Sequence, residues 1–344
     1  MTPAYFRSGF IVPALHRSSP RRSYAPVPAP NLSGSAARGG PTQGSPRRGL
    51  APRGTAAVRR SAAFVPIFAA CNPIGRAPGQ VTLARREEDG VTPEICAPML
   101  PLLQVALNGA RRSTEHPAIP RTPGELAGGA RASVRAGAQV VHLHAYDPSG
   151  AETLAPASCA AALRAVRSAC PGVPISLTTT AAIEPDPMRR LNLIAGWTEL
   201  PDLVTANQGE EGILELCELL IARGVGIEAG LLGLADAGAF VRSGIAKRCV
   251  RVLVEPLDSE PRRAVAHASA IENIVLAAGI SLPQVHHGEG VASWSVCARA
   301  LSTGHGIRTG LEDTTALPDG RLAVDNAELV RAAVEMIRSH RPAS

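Results

Sequence analysis

The sequence predicts a (β/α)8 barrel behind an N-terminal extension rich in Arg, Pro and Ala, and three observations carry that expectation. First, from Leu102 onward eight short apolar runs alternate with amphipathic segments over roughly 240 residues, the size and rhythm of that fold. Second, polar residues stand just after nearly every apolar run: Asn108, His142 and His144, Thr178 to Thr180, Thr205 and Asn207, Glu228, Glu255, His287 and Glu289, and Arg308, Glu312 and Asp313. A barrel gathers the C-terminal ends of its strands around one mouth, whereas a doubly wound open sheet would string these residues along an edge. Third, the composition changes abruptly before the first periodic segment, which divides the chain into 1–98 and a barrel over 99–344.

The units follow in order. A first apolar run at 103–107 precedes a helical pattern at 122–136, and a second run at 140–145 precedes a helix at 155–170. Strands at 174–178 and 203–206 alternate with helices at 186–197 and 212–223. In the latter, Leu214, Cys217, Leu220 and Ile221 recur at three- and four-residue spacing, as one packed face requires. Strands at 225–229, 250–254 and 284–287 are followed by helices at 235–243, 261–278 and 293–301. A last strand at 307–311 leads to a helix at 326–339, with Asp325 placed to cap it and Glu328 in its first turn.

The extension is compositionally unlike the rest. Residues 1–86 hold 13 Arg and no Asp or Glu, so taking that +13 from the chain's +6 leaves −7 for 87–344. The basic character belongs to the extension, and the main domain has no charge argument for binding nucleic acid. Its Pro, Gly, Ser, Ala and Arg bury too little apolar surface to offset ordering entropy, so 1–98 is expected to be disordered. An organellar transit peptide or a basic tail has this composition. The preferred reading is that 1–98 is not native protein, because Met99 stands directly before the first strand and is a candidate start. The apolar run at 62–70 is too short to cross a bilayer, so no membrane span is expected. Seven Cys without Cys-x-x-Cys spacing point to free thiols in a reducing cytoplasm.

Chemistry concentrates in Val141-His142-Leu143-His144. Residues two apart on a strand share a face, roughly 6.5–7 Å apart at Cα, so both imidazoles can approach one divalent cation. An isolated pair of this kind is more often two core histidines. The segment Arg308-Thr309-Gly310-Leu311-Glu312-Asp313 shifts that balance, because it offers a third ligand and an acid/base group. In a barrel, strands 2 and 8 both neighbour strand 1 and stand roughly 9–10 Å apart, within reach of a shared ion.

Residues 99–340 resemble the β-keto acid cleavage enzyme family of the 3-keto-5-aminohexanoate cleavage type, as a divergent subgroup. The motifs are Leu107-Asn108-Gly109-Ala110, Thr122-Pro123, the run from Ala136 to His144, Thr205-Ala206-Asn207, the segment from Gly304 to Asp313, and Asn326-Ala327-Glu328-Leu329-Val330. The resemblance implies a homo-oligomeric barrel enzyme, dimer or tetramer, that binds one zinc ion. It implies cleavage of a β-keto acid by retro-Claisen type exchange with acetyl-CoA, giving acetoacetate and a new acyl-CoA. Carried over by motif, the zinc ligands are His142, His144 and Glu312, Asp313 is the base and Arg308 its partner. Asn108, Glu115, Thr178, Thr179, Thr205, Asn207, Glu228, Glu255 and His287 are expected at the substrate.

The departures carry information of their own. Tyr146 stands where the family commonly has Arg, and Thr178-Thr179-Thr180-Ala181 replaces a Ser-Thr-Gly-Gly turn. After strand 6 an acidic loop from Glu255 to Pro261 replaces a Gly-rich one, a poor host for polyanionic CoA. After strand 7 a Gly-Arg pair is missing, and His287 with Glu289 are additions. Two alternatives therefore stand beside the acyl exchange: a metal-dependent hydrolase or lyase without CoA, and an inactive metabolite-binding paralogue. Product identity separates the first from the acyl exchange, and metal content separates the second.

Overall fold

A computed structural model describes residues 101–340. The predicted extension over 1–98 and the start at Met99 lie outside the described residues. Eight strands close a parallel barrel in chain order: β1 (Leu103–Ala106), β2 (Val140–Leu143), β3 (Ile175–Thr178), β4 (Leu203–Asn207), β5 (Gly226–Leu231), β6 (Arg251–Val254), β7 (Gln284–His286) and β8 (Gly306–Thr309). β8 pairs back on β1, with Gln104 opposite Arg308, and β1 pairs with β2, with Ala106 opposite His142. The predicted neighbourhood of strands 2 and 8 around strand 1 is the observed one.

Each strand feeds a helix: α1 (Pro123–Ala136), α2 (Pro156–Ala169), α3 (Pro187–Ala195), α4 (Ile213–Ala222), α5 (Leu234–Ser243), α6 (Pro261–Ala277), α7 (Ser293–Ser302) and α8 (Asn326–Ser339). Local chemistry sets where they begin. Thr122 and Glu125 form a reciprocal capping box on α1, Asp186 and Glu260 cap α3 and α6, and Pro occupies the first turn of each of these three helices. Asp325 caps α8 through the Glu328 amide, as the spacing predicts. Among the described residues no helix is long and apolar enough to cross a membrane, and the five cysteines are free and buried.

Strand alternation sorts side chains into two layers. On β2, Val141 and Leu143 join the apolar core beneath the helices, and on β5 Ile227, Ala229 and Leu231 do the same. His142 and Glu228 consequently face the barrel interior. Glu228, expected at the rim, is instead fully buried below it, where Gln104, Ser176 and Arg251 all donate to its carboxylate. The strand ends also differ from expectation. β2 stops at Leu143 and β8 at Thr309, so His144, Glu312 and Asp313 lie on the first residues beyond strands, where the backbone is free to turn side chains inward.

Gly310 makes the β8 exit possible. A Cβ there would fall 1.9 Å from the Ala106 carbonyl oxygen, so the chain crosses the end of β1 in contact with its backbone. Asn326, at the start of α8, then ties the two strand ends together. Its Oδ1 accepts from the Leu311 amide at 2.8 Å and its Nδ2 donates to the Leu107 carbonyl at 2.9 Å. Replacing Asn326 by Ala strands both buried backbone groups, at about 1–3 kcal/mol each. Denaturant unfolding should show a loss of about 2–6 kcal/mol. A loss below about 0.5 kcal/mol would mean that water replaces both bonds.

Candidate active site

The strand ends surround a cavity at the barrel mouth lined by His142, His144, Thr178, Thr180, Thr205, Asn207, Glu255, His287, Glu289, Arg308, Glu312 and Asp313, together with Glu152. At its centre His142, His144 and Glu312 each bring a ligand atom within 4.8 Å of the others. The Nε2 atoms of His142 and His144 stand 3.7 and 3.6 Å from the two Glu312 oxygens. The rings are nearly perpendicular, with centroids 5.4 Å apart, so they converge on the carboxylate from different directions. Gly109 leaves room for it, since a Cβ there would lie 2.4 Å from Glu312 Cγ.

Hydrogen bonds behind the rings settle which nitrogen is free. The Ser176 hydroxyl gives its one proton to Glu228, so it offers His142 a lone pair, and His142 Nδ1 must donate to it at 3.1 Å. Glu152 accepts from His144 Nδ1 at 2.5 Å. Both Nε2 atoms are thereby turned into the cavity. Asn108 fixes the His144 backbone from both sides, accepting from its amide and donating to its carbonyl, each at 2.9 Å.

Charge at this centre is unbalanced in a way that suits a cation. Burial, with Arg308 and His144 nearby, holds the His142 pKa down to about 3, so it is a neutral ligand. Burial opposes charge on His144 too, but Glu312 and Glu152 outweigh it and push the pKa up to about 9. Burial also opposes charge on Glu312, yet Arg308, His144 and His142 keep its carboxyl well below the usual range. Glu312 Oε2 is buried without a hydrogen-bond partner. The unpartnered Oε2 faces the His142 Nε2 lone pair, and His144 Nε2 faces Oε1. These three residues fit a divalent ion that would displace the His144 proton and leave positions open for substrate.

Arg308 organises the anions beside this centre. It binds Asp313 through Nε, at 3.1 and 3.2 Å, and through Nη2 at 2.7 Å, and the same Nη2 reaches Glu312 Oε1 at 2.7 Å. Across the cavity, Asn207 and Thr180 both donate to Glu210, which the buried Arg190 holds at 2.9 Å.

A family model described as beta-keto acid cleavage enzyme matches residues 102–228 and 264–342, together more than half of the chain. The chain belongs to this family. Two curated relatives are each called 3-keto-5-aminohexanoate cleavage enzyme. The Fusobacterium nucleatum protein is 27% identical over 259 residues, covering 69% of this chain and 91% of that protein. The Acetoanaerobium sticklandii protein is 25% identical over 257 residues, with the same coverage. Among solved structures, the ternary complex of ObcA with a C4-CoA adduct and oxalate superposes with a TM-score of 0.55 at 18% identity, over 65% of this chain and 64% of that chain. The binary complex of ObcA with oxaloacetate gives 0.52 at 19%, over 64% and 63%. The chain thus spans about 64% of the ObcA length, and that likeness speaks for the fold.

Within this family member, several residues expected at the substrate stand elsewhere. Asn108 is buried with its side chain committed to Pro120, His144 and Gly109. Glu115 is exposed and accepts from the Arg112 amide, away from the cavity. Thr179 donates to the Thr205 carbonyl at 2.7 Å and is off the cavity lining, whereas Thr180 is on it. Glu228 supports His142 through Ser176. In the position of the family Arg, Tyr146 donates to the Gly109 carbonyl and carries Arg121 over its ring at 4.7 Å, so this departure braces the rim. A second group of possible ligands, Glu272, His286 and His305, lies outside the cavity. Its two rings stack at 21°, so their lone pairs do not converge, and Arg299 already binds Glu272.

Two contributors were not foreseen. Ser176 lies two residues before Thr178 on the same inward face, so strand alternation could have found it. Glu152 is returned to the site by the Asp147-Pro148-Ser149-Gly150 turn, in which Asp147 accepts the Ser149 and Ala151 amides, and that turn signature was legible. Partners behind imidazole ligands commonly carry 10- to 100-fold in metal affinity. If a divalent ion binds here, Ser176→Ala and Glu152→Gln should each weaken its binding by about that factor in competition with a chelating dye. Unchanged affinity in both would show that the imidazoles need no orientation from behind.

Proposed function

We propose that this chain cleaves a β-keto acid by a retro-Claisen type acyl exchange with acetyl-CoA, at a zinc ion held by His142, His144 and Glu312. Acetoacetate and a new acyl-CoA are the products. The observation that carries this reading is the convergence of two buried imidazoles and the half-buried Glu312 carboxylate beside the Arg308–Asp313 pair, in a chain of this family. When bound there, zinc supplies a Lewis acid for the keto oxygen of the substrate. The protein's own groups do the rest. Asp313, 3% exposed and gripped by Arg308, takes a substrate proton at a carboxylate oxygen. Thr178 and Thr205 present hydroxyls along the β3 and β4 side of the cavity, where they hold the substrate's carboxylate or keto oxygen.

One observation favours a second reading. Glu255 and Glu289 make the β6 and β7 rim acidic, which disfavours a polyanionic thioester and suits a hydrolase or lyase on the same metal. The deciding experiment is metal analysis followed by incubation with a panel of β-keto acids, with and without acetyl-CoA. Acetoacetate that appears only when both zinc and acetyl-CoA are present supports the acyl exchange. Stoichiometric zinc with products that ignore the thioester supports the second reading.

The ligands and the base should respond differently to mutation. His142→Ala is expected to lose zinc and turnover together, and full activity in that metal-free variant would overturn the mechanism. Asp313→Asn should retain zinc while kcat falls by about 10²- to 10⁴-fold, the usual worth of a placed base. An unchanged kcat would remove Asp313 from that role.

A further inference from the structure

Two of the departures from the family pattern meet inside the cavity. Glu255 follows β6, within the stretch 229–263 that the family model leaves unmatched, and His287 follows β7. His287 Nε2 stands 2.8 Å from Glu255 Oε2, and its Nδ1 stands 3.4 Å from Asp313 Oδ1. His287 and Glu255 are 7% and 8% exposed, and both line the cavity.

A carboxylate only accepts hydrogen bonds, and a neutral imidazole has a single N–H. With Glu255 at one nitrogen and Asp313 at the other, a neutral ring would set a lone pair against an anion on one side. A proton on Nε2 serves Glu255, and one on Nδ1 serves the Gly288 carbonyl at 3.4 Å while facing the Asp313 anion at the same distance. The charged groups facing the ring are Glu255 from β6, and Asp313 and Arg308 from β8 and its exit, two anions against one cation. Burial and Arg308 work against charge on His287, but Asp313 and Glu255 outweigh them and raise its pKa.

The contacts on Asp313 are asymmetric. Oδ1 receives Arg308 Nη2 at 2.7 Å and Nε at 3.2 Å and faces His287 Nδ1 at 3.4 Å, whereas Oδ2 receives Arg308 Nε alone at 3.1 Å. Oxygen lone pairs spent on donors are less basic, so Oδ2 is the oxygen left to accept a proton.

We propose that His287, anchored by Glu255, is a positioning residue for Asp313: it engages Oδ1 from the β7 rim opposite Arg308 and leaves Oδ2 presented to the substrate. This rests on the proposed role of Asp313 as the base. Glu255, the anchor of the pair, lies in the stretch that the family model leaves unmatched.

The test uses the full chain loaded with zinc and compares His287→Ala, His287→Gln and Glu255→Gln. In His287→Ala, kcat is expected to fall roughly 10- to 100-fold, less than for loss of the base itself, with KM for either substrate changed less than about threefold. Zinc content stays stoichiometric, and added imidazole restores part of the lost kcat. His287→Gln, which keeps a donor but loses the two-sided anchor, falls between wild type and Ala. An unchanged kcat, or a loss that imidazole does not relieve and that tracks a fall in melting temperature, would overturn the proposal. A second arm is independent of turnover. With 15N-labelled histidine, His287 should show two protonated ring nitrogens, with the Nδ1 proton lost from protection in Asp313→Asn. A single protonated nitrogen in the wild type defeats the bridge, even if the enzyme proves active. The bridge present in a protein that cleaves no β-keto acid defeats the functional reading instead.

Discussion

The mouth of this barrel depends on keeping the Glu312 carboxylate charged while it is buried. A buried anion is expensive unless positive charge and donors reach it. Arg308 supplies one partner and the charged His144 another, whereas His142 turns a lone pair toward the remaining oxygen. One carboxylate oxygen still has no hydrogen-bond partner. That deficit is the physical reason the three side chains read as a cation site rather than as an ordinary ion pair.

The centre is supported from beneath by a polar layer that the fold accepts at a cost. Glu228 lies fully inside the barrel with Arg251, Gln104 and Ser176 around it. A buried pair of this kind adds little net stability. What it provides is direction, because the proton that Ser176 gives Glu228 forces His142 to donate from Nδ1 and to expose Nε2. The apolar layer between strands and helices, with Val141, Leu177, Ile227 and Ile307 completely buried, carries the stability that permits a polar interior.

The cavity has two characters. On the β1, β2 and β8 side it is built from residues inside the family match, from the Asn108 clamp on His144 to the Arg308 fork. On the β6 side Glu255 falls outside the family match, and with His287 and Glu289 after β7 it forms an acidic rim. Substrate choice in barrel enzymes lies in such loops, because strands hold the chemistry while their exits vary. The three candidate ligands and this rim are joined through Arg308, which binds both Glu312 and Asp313, and Asp313 faces His287.

Element by element, the sequence alone determined the barrel, its eight units and the pairing of His142 and His144 with Glu312, because period-2 and period-3.6 patterns report burial directly and a motif of fixed spacing survives in order along the chain. The α8 start at Asn326 was legible from its cap. The depth of a side chain along a strand was not, since alternation tells which layer a residue faces but not how near the rim it sits. That is why Glu228 reads as a rim residue in the sequence yet lies at the barrel's interior, and why Ser176 escaped notice. Likewise, Asn108 and Thr179 have polar groups that the sequence cannot tell from ligand-binding ones, until the tertiary structure shows them spent on backbone carbonyls and amides. Only the folded chain decides those partnerships, because they join residues from different strands and loops, and closure of the ring sets the distances between them.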